Sequence, residues 1–181
     1  MNKELQQNNY VVVEEFLHPE LSADLAKQFK NDCAASFITS DKDVANAPAV
    51  YMYPLFVKLL YSKIFFMNDL VGEKLYPTYS YARWYQKGAE LKPHTDAEAC
   101  EISVTLNLSG DKWPIFMTNP QGEVSGIELT PGDAVIYRGA RSRHWREKFT
   151  GTECVQVFLH YVRIDGPNVD NAFDLRRQGR F

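Results

Sequence analysis

Residues 79–108 read YSYARWYQKGAELKPHTDAEACEISVTLNL. Tyr79–Tyr85 and Glu101–Leu108 are rich in aromatic and β-branched residues. Such runs suit a pleated, half-buried surface, so each is expected to be a strand. The same texture continues to Val162. Trp113–Met117 precedes the turn Asn119-Pro120-Gln121-Gly122, and Ile127–Leu129 precedes Thr130-Pro131-Gly132-Asp133. Ala134–Tyr137 and Cys154–Val162 complete the set. Short strands separated by turn residues roughly every 8–12 positions indicate a sandwich or barrel.

Upstream of Pro77 the pattern differs. Tyr10–Phe16 reads as a strand, with three consecutive valines, and His18-Pro19 ends it. Leu21–Ala34 reads as a helix capped at Ser22, with Leu21, Leu25 and Phe29 along one face. Residues 40–48 read as a polar loop. Tyr51–Glu73 reads as mostly helical, in one piece or two, with Leu59, Leu60, Ile64, Phe65 and Leu70 on one side. The expected architecture is mainly β with N-terminal helices packed on one sheet face. Residues 1–76 would form the helical buttress, 77–164 the β core and 165–181 a polar tail carrying Arg176, Arg177 and Arg180.

The chain has 181 residues, enough to bury a full core as one domain. Twenty Lys and Arg against 23 Asp and Glu give a net charge of −3, so no strong nucleic-acid signal exists. Cys33, Cys100 and Cys154 are odd in number and form no Cys-x-x-Cys pair, which fits a reducing cytoplasm. Met1–Asn9 lacks the apolar core of a signal peptide. Tyr51–Leu75, the most apolar stretch, is interrupted by Lys58, Lys63, Asp69 and Glu73, so no membrane span is expected.

Four histidines are present: His18, His94, His144 and His160. On an extended segment His94 and Asp96 point to the same side and offer an imidazole and a carboxylate to one point. His144, on another strand, would complete a two-histidine, one-carboxylate set of the kind that suits non-haem Fe(II). The alternative is a solvated loop histidine beside an acid. His18 reads as a surface turn residue. Arg141, Arg143 and Arg146 around His144 read as a solvated loop, with recognition of a charged substrate as the other reading. Trp113 reads as core, and Trp145 is undecided.

In order and spacing, nearly the whole chain resembles the Fe(II)/2-oxoglutarate-dependent dioxygenases, in particular their prolyl-hydroxylase-like branch. Tyr85 lies nine residues before His94, the His-x-Asp is followed by the strand Ile102–Leu108, and Pro131-Gly132-Asp133 leads through Ala134–Tyr137 to His144. The strand Val155–Val162 follows. The opening Val12–Leu17 and its helix match the family's lead-in. The resemblance implies a double-stranded β-helix, the cupin-like jelly roll, with His94, Asp96 and His144 holding iron. It also implies that 2-oxoglutarate chelates the metal, that O2 is consumed, and that succinate and CO2 leave as an unactivated C–H is hydroxylated.

The family anchors the far carboxylate of 2-oxoglutarate on a Lys or Arg about ten residues after the distal histidine. Here Glu153-Cys154 stands in that place. Because the family's first barrel strand runs beside its last, Arg83, two residues before Tyr85, is expected to supply the cation. Gln156, Thr105 and His160 are further candidates for co-substrate contact. By resemblance the substrate is a peptide or protein, with a peptidyl proline first, or a small molecule. Two rivals stand beside this reading. One is a cupin-type metalloenzyme that uses no 2-oxoglutarate, and the other is a non-catalytic jelly-roll binding module. The sequence sets no oligomeric state.

Overall fold

A computed structural model describes residues 1–36, 38–40 and 44–174. The elements in chain order are α1 (Lys3–Asn8), β1 (Tyr10–Val13), α2 (Pro19–Ala35), β2 (Ala49–Tyr51), α3 (Pro54–Ser62), α4 (Ile64–Val71), β3 (Leu75–Gln86), β4 (Leu91–His94), β5 (Ile102–Gly110), β6 (Ile115–Thr118), β7 (Val124–Ile127), β8 (Ala134–Tyr137), β9 (His144–Arg146) and β10 (Glu153–Arg163). Short 3-10 segments occupy Glu98–Cys100 and Val169–Asp174.

Among the described residues the strands form two antiparallel sheets. One has six strands in the order β1-β8-β5-β10-β3-β2, and the other has four in the order β4-β9-β6-β7. The expected neighbour relation holds: β3 runs beside β10, with Arg83 opposite Gln156 and Tyr85 opposite Cys154. Alternation along the strands gives the larger sheet two different faces. Val104 and Leu106 of β5, with Val155, Val157, Leu159 and Tyr161 of β10, pack with Leu5, Phe29, Phe56, Leu60, Met67 and Val71 from the helices. Ser103, Thr105 and Asn107, with Gln156, Phe158 and His160, alternate with them and so occupy the other face.

Several local expectations are corrected. Helix α2 starts at Pro19, whose fixed φ suits the first helical position. Its fully buried face is Ser22, Ala26, Phe29 and Cys33; Leu25 packs against the same core, and Leu21, placed on that face from the sequence, is exposed. The small side chains of Ser22 and Ala26 let the helix lie close to the sheet, which leucines there would prevent. Phe65 is also exposed, at 83 %. Residues 49–51 pair with β3 as a strand instead of opening the helical region, which divides into α3 and α4. His94 and His144, read on an extended segment and on another strand, lie on the short paired strands β4 and β9, and Arg146, read as solvated loop, lies on β9 as well. Of the residues read as loop or tail, 41–43 and 175–181, including Arg176, Arg177 and Arg180, lie outside the described residues. No described helix is long and apolar enough to cross a membrane.

Candidate metal centre and active site

Strands β4 and β9 are antiparallel neighbours, and His94 stands directly opposite His144. Directly paired residues have their Cβ atoms about 5 Å apart, and here the two ring centroids are 4.3 Å apart. Asp96 follows just past the end of β4, where its backbone N–H donates to the Gly139 carbonyl at 2.9 Å. Asp96 Oδ1 then lies 3.5 Å from Nε2 of His94 and 3.5 Å from Nε2 of His144. All three ligand atoms fall within 4.8 Å of one another.

The second nitrogen of each ring is tied down. His94 Nδ1 donates to the Lys92 carbonyl at 2.8 Å, and His144 Nδ1 donates to the Ser142 carbonyl at 2.9 Å. With Nδ1 so engaged, each ring turns its Nε2 toward the Asp96 carboxylate. Burial pushes the Asp96 carboxyl up, but hydrogen bonds from His144 and His94 outweigh it and hold the group well below the usual carboxylate range. A carboxylate and two imidazoles converging on one point are the donor set of a divalent transition metal that keeps open coordination positions. The residues present therefore fit such an ion.

The three groups lie on the wall of a cavity of about 450 Å³. Tyr85, Arg83, Thr105 and His160 line the same cavity. Gln156 does not: its amide donates to Asn107 Oδ1 at 3.1 Å and accepts from Arg146 at 3.3 Å. Thr105 donates to the Tyr137 hydroxyl at 3.4 Å. Burial pushes the Tyr137 phenol well above its ordinary value, so it stays neutral. His160 is also buried, which lowers its pKa to about 4, and its Nδ1 is hydrogen-bonded to Ser103 Oγ at 2.9 Å. Ser103 Oγ lies 3.3 Å from Asp96 Oδ2.

The sequence reading missed several members of this site. Ser103 braces the carboxylate, and Cys100, Tyr79 and Phe158 line the cavity. The polar alternation Ser103, Thr105, Asn107 on one face of an otherwise apolar strand was the signal for a polar interior. Arg146, read with Arg141 and Arg143 as solvated loop, is fully buried, whereas Arg141 and Arg143 are exposed. Trp113 is core, and Trp145 stacks on Phe116 at 5.6 Å. His18 is exposed, as expected.

No protein-family model and no curated protein matches the sequence. Solved structures do match. A prolyl-4-hydroxylase from Pseudomonas putida superposes with a TM-score of 0.71 at 15% identity, covering 88% of this chain and 95% of that one. HygX from Streptomyces hygroscopicus, solved with nickel and 2-oxoglutarate bound, gives 0.70 at 12% identity, covering 91% and 88%. SnoK, a non-haem α-ketoglutarate-dependent carbocyclase from nogalamycin biosynthesis, gives 0.74 at 12% identity, covering 91% and 85%.

The fold is that of the 2-oxoglutarate-dependent non-haem iron oxygenases.

Within that oxygenase fold, this chain puts two histidines and an aspartate on the short sheet and its flanking loop. The larger sheet supplies Arg83, Tyr85, Thr105 and His160 from the opposite wall.

Proposed function

We propose that the chain is an Fe(II)- and 2-oxoglutarate-dependent dioxygenase that hydroxylates an unactivated C–H. Its 181 residues are read as one such domain, and its two sheets as the two halves of a double-stranded β-helix. One observation carries the reading. His94 Nε2, His144 Nε2 and an ionised Asp96 meet at one point on the wall of a cavity large enough for a co-substrate and part of a substrate. The oxygenase fold supports it. So do HygX, solved with nickel and 2-oxoglutarate, and the prolyl-4-hydroxylase.

His94, Asp96 and His144 would hold the iron. Bound there, iron with 2-oxoglutarate supplies O2 activation and C–H hydroxylation, releasing succinate and CO2. The chain's own residues set the conditions. The carbonyls of Lys92 and Ser142 fix the ring tautomers, and Ser103 steadies the carboxylate. Tyr79, Tyr81, Phe158, Leu91 and Ile115 give the cavity an apolar and aromatic wall that excludes water and packs against a substrate ring. Tyr85, Thr105 and Tyr137 line the cavity with hydroxyl-bearing side chains. A peptidyl proline is the proposed first target, and small molecules are the second class. Cys33, Cys100 and Cys154 are all buried and form no disulfide among the described residues, which supports a reducing cytoplasmic setting.

The test is turnover of the co-substrate. Protein loaded with Fe(II) and given 2-oxoglutarate, O2 and a panel of peptides and small metabolites is expected to release succinate. His94→Ala and His144→Ala should abolish the release. Stoichiometric iron with no succinate under any condition would favour the cupin-type enzyme. Failure to bind iron would favour the binding module.

A further inference from the structure

The Asp96 carboxylate faces two ways. Its Oδ1 lies 3.5 Å from Nε2 of His94 and 3.5 Å from Nε2 of His144, while its Oδ2 lies 3.3 Å from Ser103 Oγ. On the Ser103 side stands a second group of ligand-bearing side chains. Asp96, Cys100 and His160 bring a carboxylate oxygen, a sulfur and an imidazole nitrogen within 4.8 Å of one another. All three residues line the cavity, so an ion that enters it reaches them. Cys100 and His160 are 2 % and 6 % exposed, which separates this group from an acidic cluster on the surface.

Separate elements hold the three in place. Cys100 ends the 3-10 turn that follows Asp96, and its N–H donates to the Ala97 carbonyl at 2.9 Å. The Cys100 carbonyl accepts from the Ala140 N–H at 3.2 Å, which ties the turn to the same loop that receives the Asp96 N–H at Gly139. His160 on β10 stands opposite Ser103 on β5, with Ser103 Oγ 2.9 Å from His160 Nδ1. Tyr79 of β3 closes the group, its hydroxyl 3.0 Å from the Cys100 sulfur and its ring centroid 4.6 Å from that of His160. Metal–ligand bonds of about 2.0–2.3 Å put the ligands of a tetrahedral ion up to roughly 3.8 Å apart. Closing from 4.8 Å takes about 1 Å, which side-chain rotation supplies. Thiolate, imidazole and carboxylate are the donors that zinc takes, and the sulfur makes this set softer than that of His94, Asp96 and His144.

We infer that Asp96, Cys100 and His160 form a second metal site, for a thiophilic divalent ion such as Zn(II), beside the first and sharing its carboxylate. As the ion binds, the S–H bond of Cys100 breaks, the proton leaves to solvent and a sulfur–metal bond forms. Asp96 then bridges, with Oδ1 toward the first position and Oδ2 toward the second. Two cations on one carboxylate repel each other. An ion at the second site therefore weakens the hold of the first, and by linkage the reverse is equally true. The second site is inhibitory: a thiophilic ion loosens the ion at the first site without taking either of its histidines. The inference goes beyond the proposed function and does not depend on it, because a chain with no oxygenase activity would bind the same ion through the same three residues.

The test uses Co(II), a spectroscopic stand-in for Zn(II) whose thiolate complexes absorb in the near ultraviolet, outside the protein's own bands. Metal-free, reduced protein is titrated with Co(II) under anaerobic conditions. Wild-type protein should develop a saturable sulfur-to-cobalt band that excess Zn(II) bleaches. Cys100→Ser should abolish the band. His94→Ala, which dismantles the first site alone, should keep it. No band in the wild type, a band that survives in Cys100→Ser, or one that disappears in His94→Ala overturns the assignment. Should Cys100→Ser fail to fold, His160→Gln carries the test. It must weaken the Co(II) that gives the band at least about tenfold, the least that loss of even an outer-shell partner costs. Unchanged affinity would overturn the assignment. The shared carboxylate has its own readout. Zn(II) should release Fe(II) from wild-type protein at a concentration roughly tenfold lower than from Cys100→Ser, a coupling of ordinary size. Equal release would overturn the inhibitory role. Absence of succinate release would count against the proposed function and leave the cobalt band untouched, so the two failures are distinct.

Discussion

Gly139 shows how tightly the carboxylate ligand is held. A Cβ built there would lie 2.5 Å from Asp96 Oδ2, 2.5 Å from the Cys100 carbonyl and 2.5 Å from Ser103 Oγ. None of these can withdraw without disturbing the centre, since the Gly139 carbonyl also receives the Asp96 N–H. Gly139→Ala should therefore weaken Fe(II) binding at least about tenfold, measured by metal titration, while the far-UV circular dichroism stays that of the wild type. His160 makes a second residue-scale prediction. Burial lowers its pKa to about 4, whereas an unfolded chain protonates histidine near 6.5. Between those values the unfolded state binds the extra proton, so stability falls as pH falls through that window. The loss is of order 3 kcal/mol at most. His160→Asn, which keeps an amide near the Nδ1 position, should remove that part of the pH dependence in denaturant titrations at pH 7 and pH 4.5. At this scale the sequence was legible where strand alternation carried the signal, as for His94 and Asp96, and His144 followed from the family resemblance. It was illegible at Arg146, because a cation in a charged run looks solvated until a short strand turns it inward.

Helix α2 shows the limits of reading at the scale of elements. Its extent was nearly right, and its phase was wrong. Hydrophobic periodicity favoured Leu21, but the close approach to β5 selects the small side chains Ser22 and Ala26. Ser22 is fully buried, and among the described residues its hydroxyl has no hydrogen-bond partner. Such a group keeps its desolvation cost with nothing in return. Ser22→Ala should stabilise the protein by about 1 kcal/mol, read as a higher denaturant midpoint with an unchanged slope. A destabilised variant would show that the hydroxyl finds a partner. The long strands β3, β5 and β10 were legible because their runs of apolar and aromatic residues exceed any loop. Strand β9 has three residues and β4 four, too few for periodicity to mark. Yet these two short strands bring the histidines face to face.

Across the whole molecule, the helices cover one face of the six-stranded sheet and leave its other face for the cavity. That division explains why polar residues on β5 and β10 survive inside a small protein. Ser103, Thr105, Asn107, Gln156 and His160 are satisfied by one another or border the cavity. The order of strands and turns along the chain carried the architecture, and the His-x-Asp spacing together with the family resemblance pointed to the three metal-binding candidates. The partner of the far carboxylate depends on which strand faces which across the two sheets, information that appears only after folding. The measurement that bears most directly on the central claim is anaerobic titration of Fe(II)-loaded protein with 2-oxoglutarate, followed by visible absorption and melting temperature. The account predicts a saturable charge-transfer band and stabilisation of about 2.7 kcal/mol at a hundredfold excess over the Kd. Iron bound at His94, Asp96 and His144 with neither band nor stabilisation would contradict it.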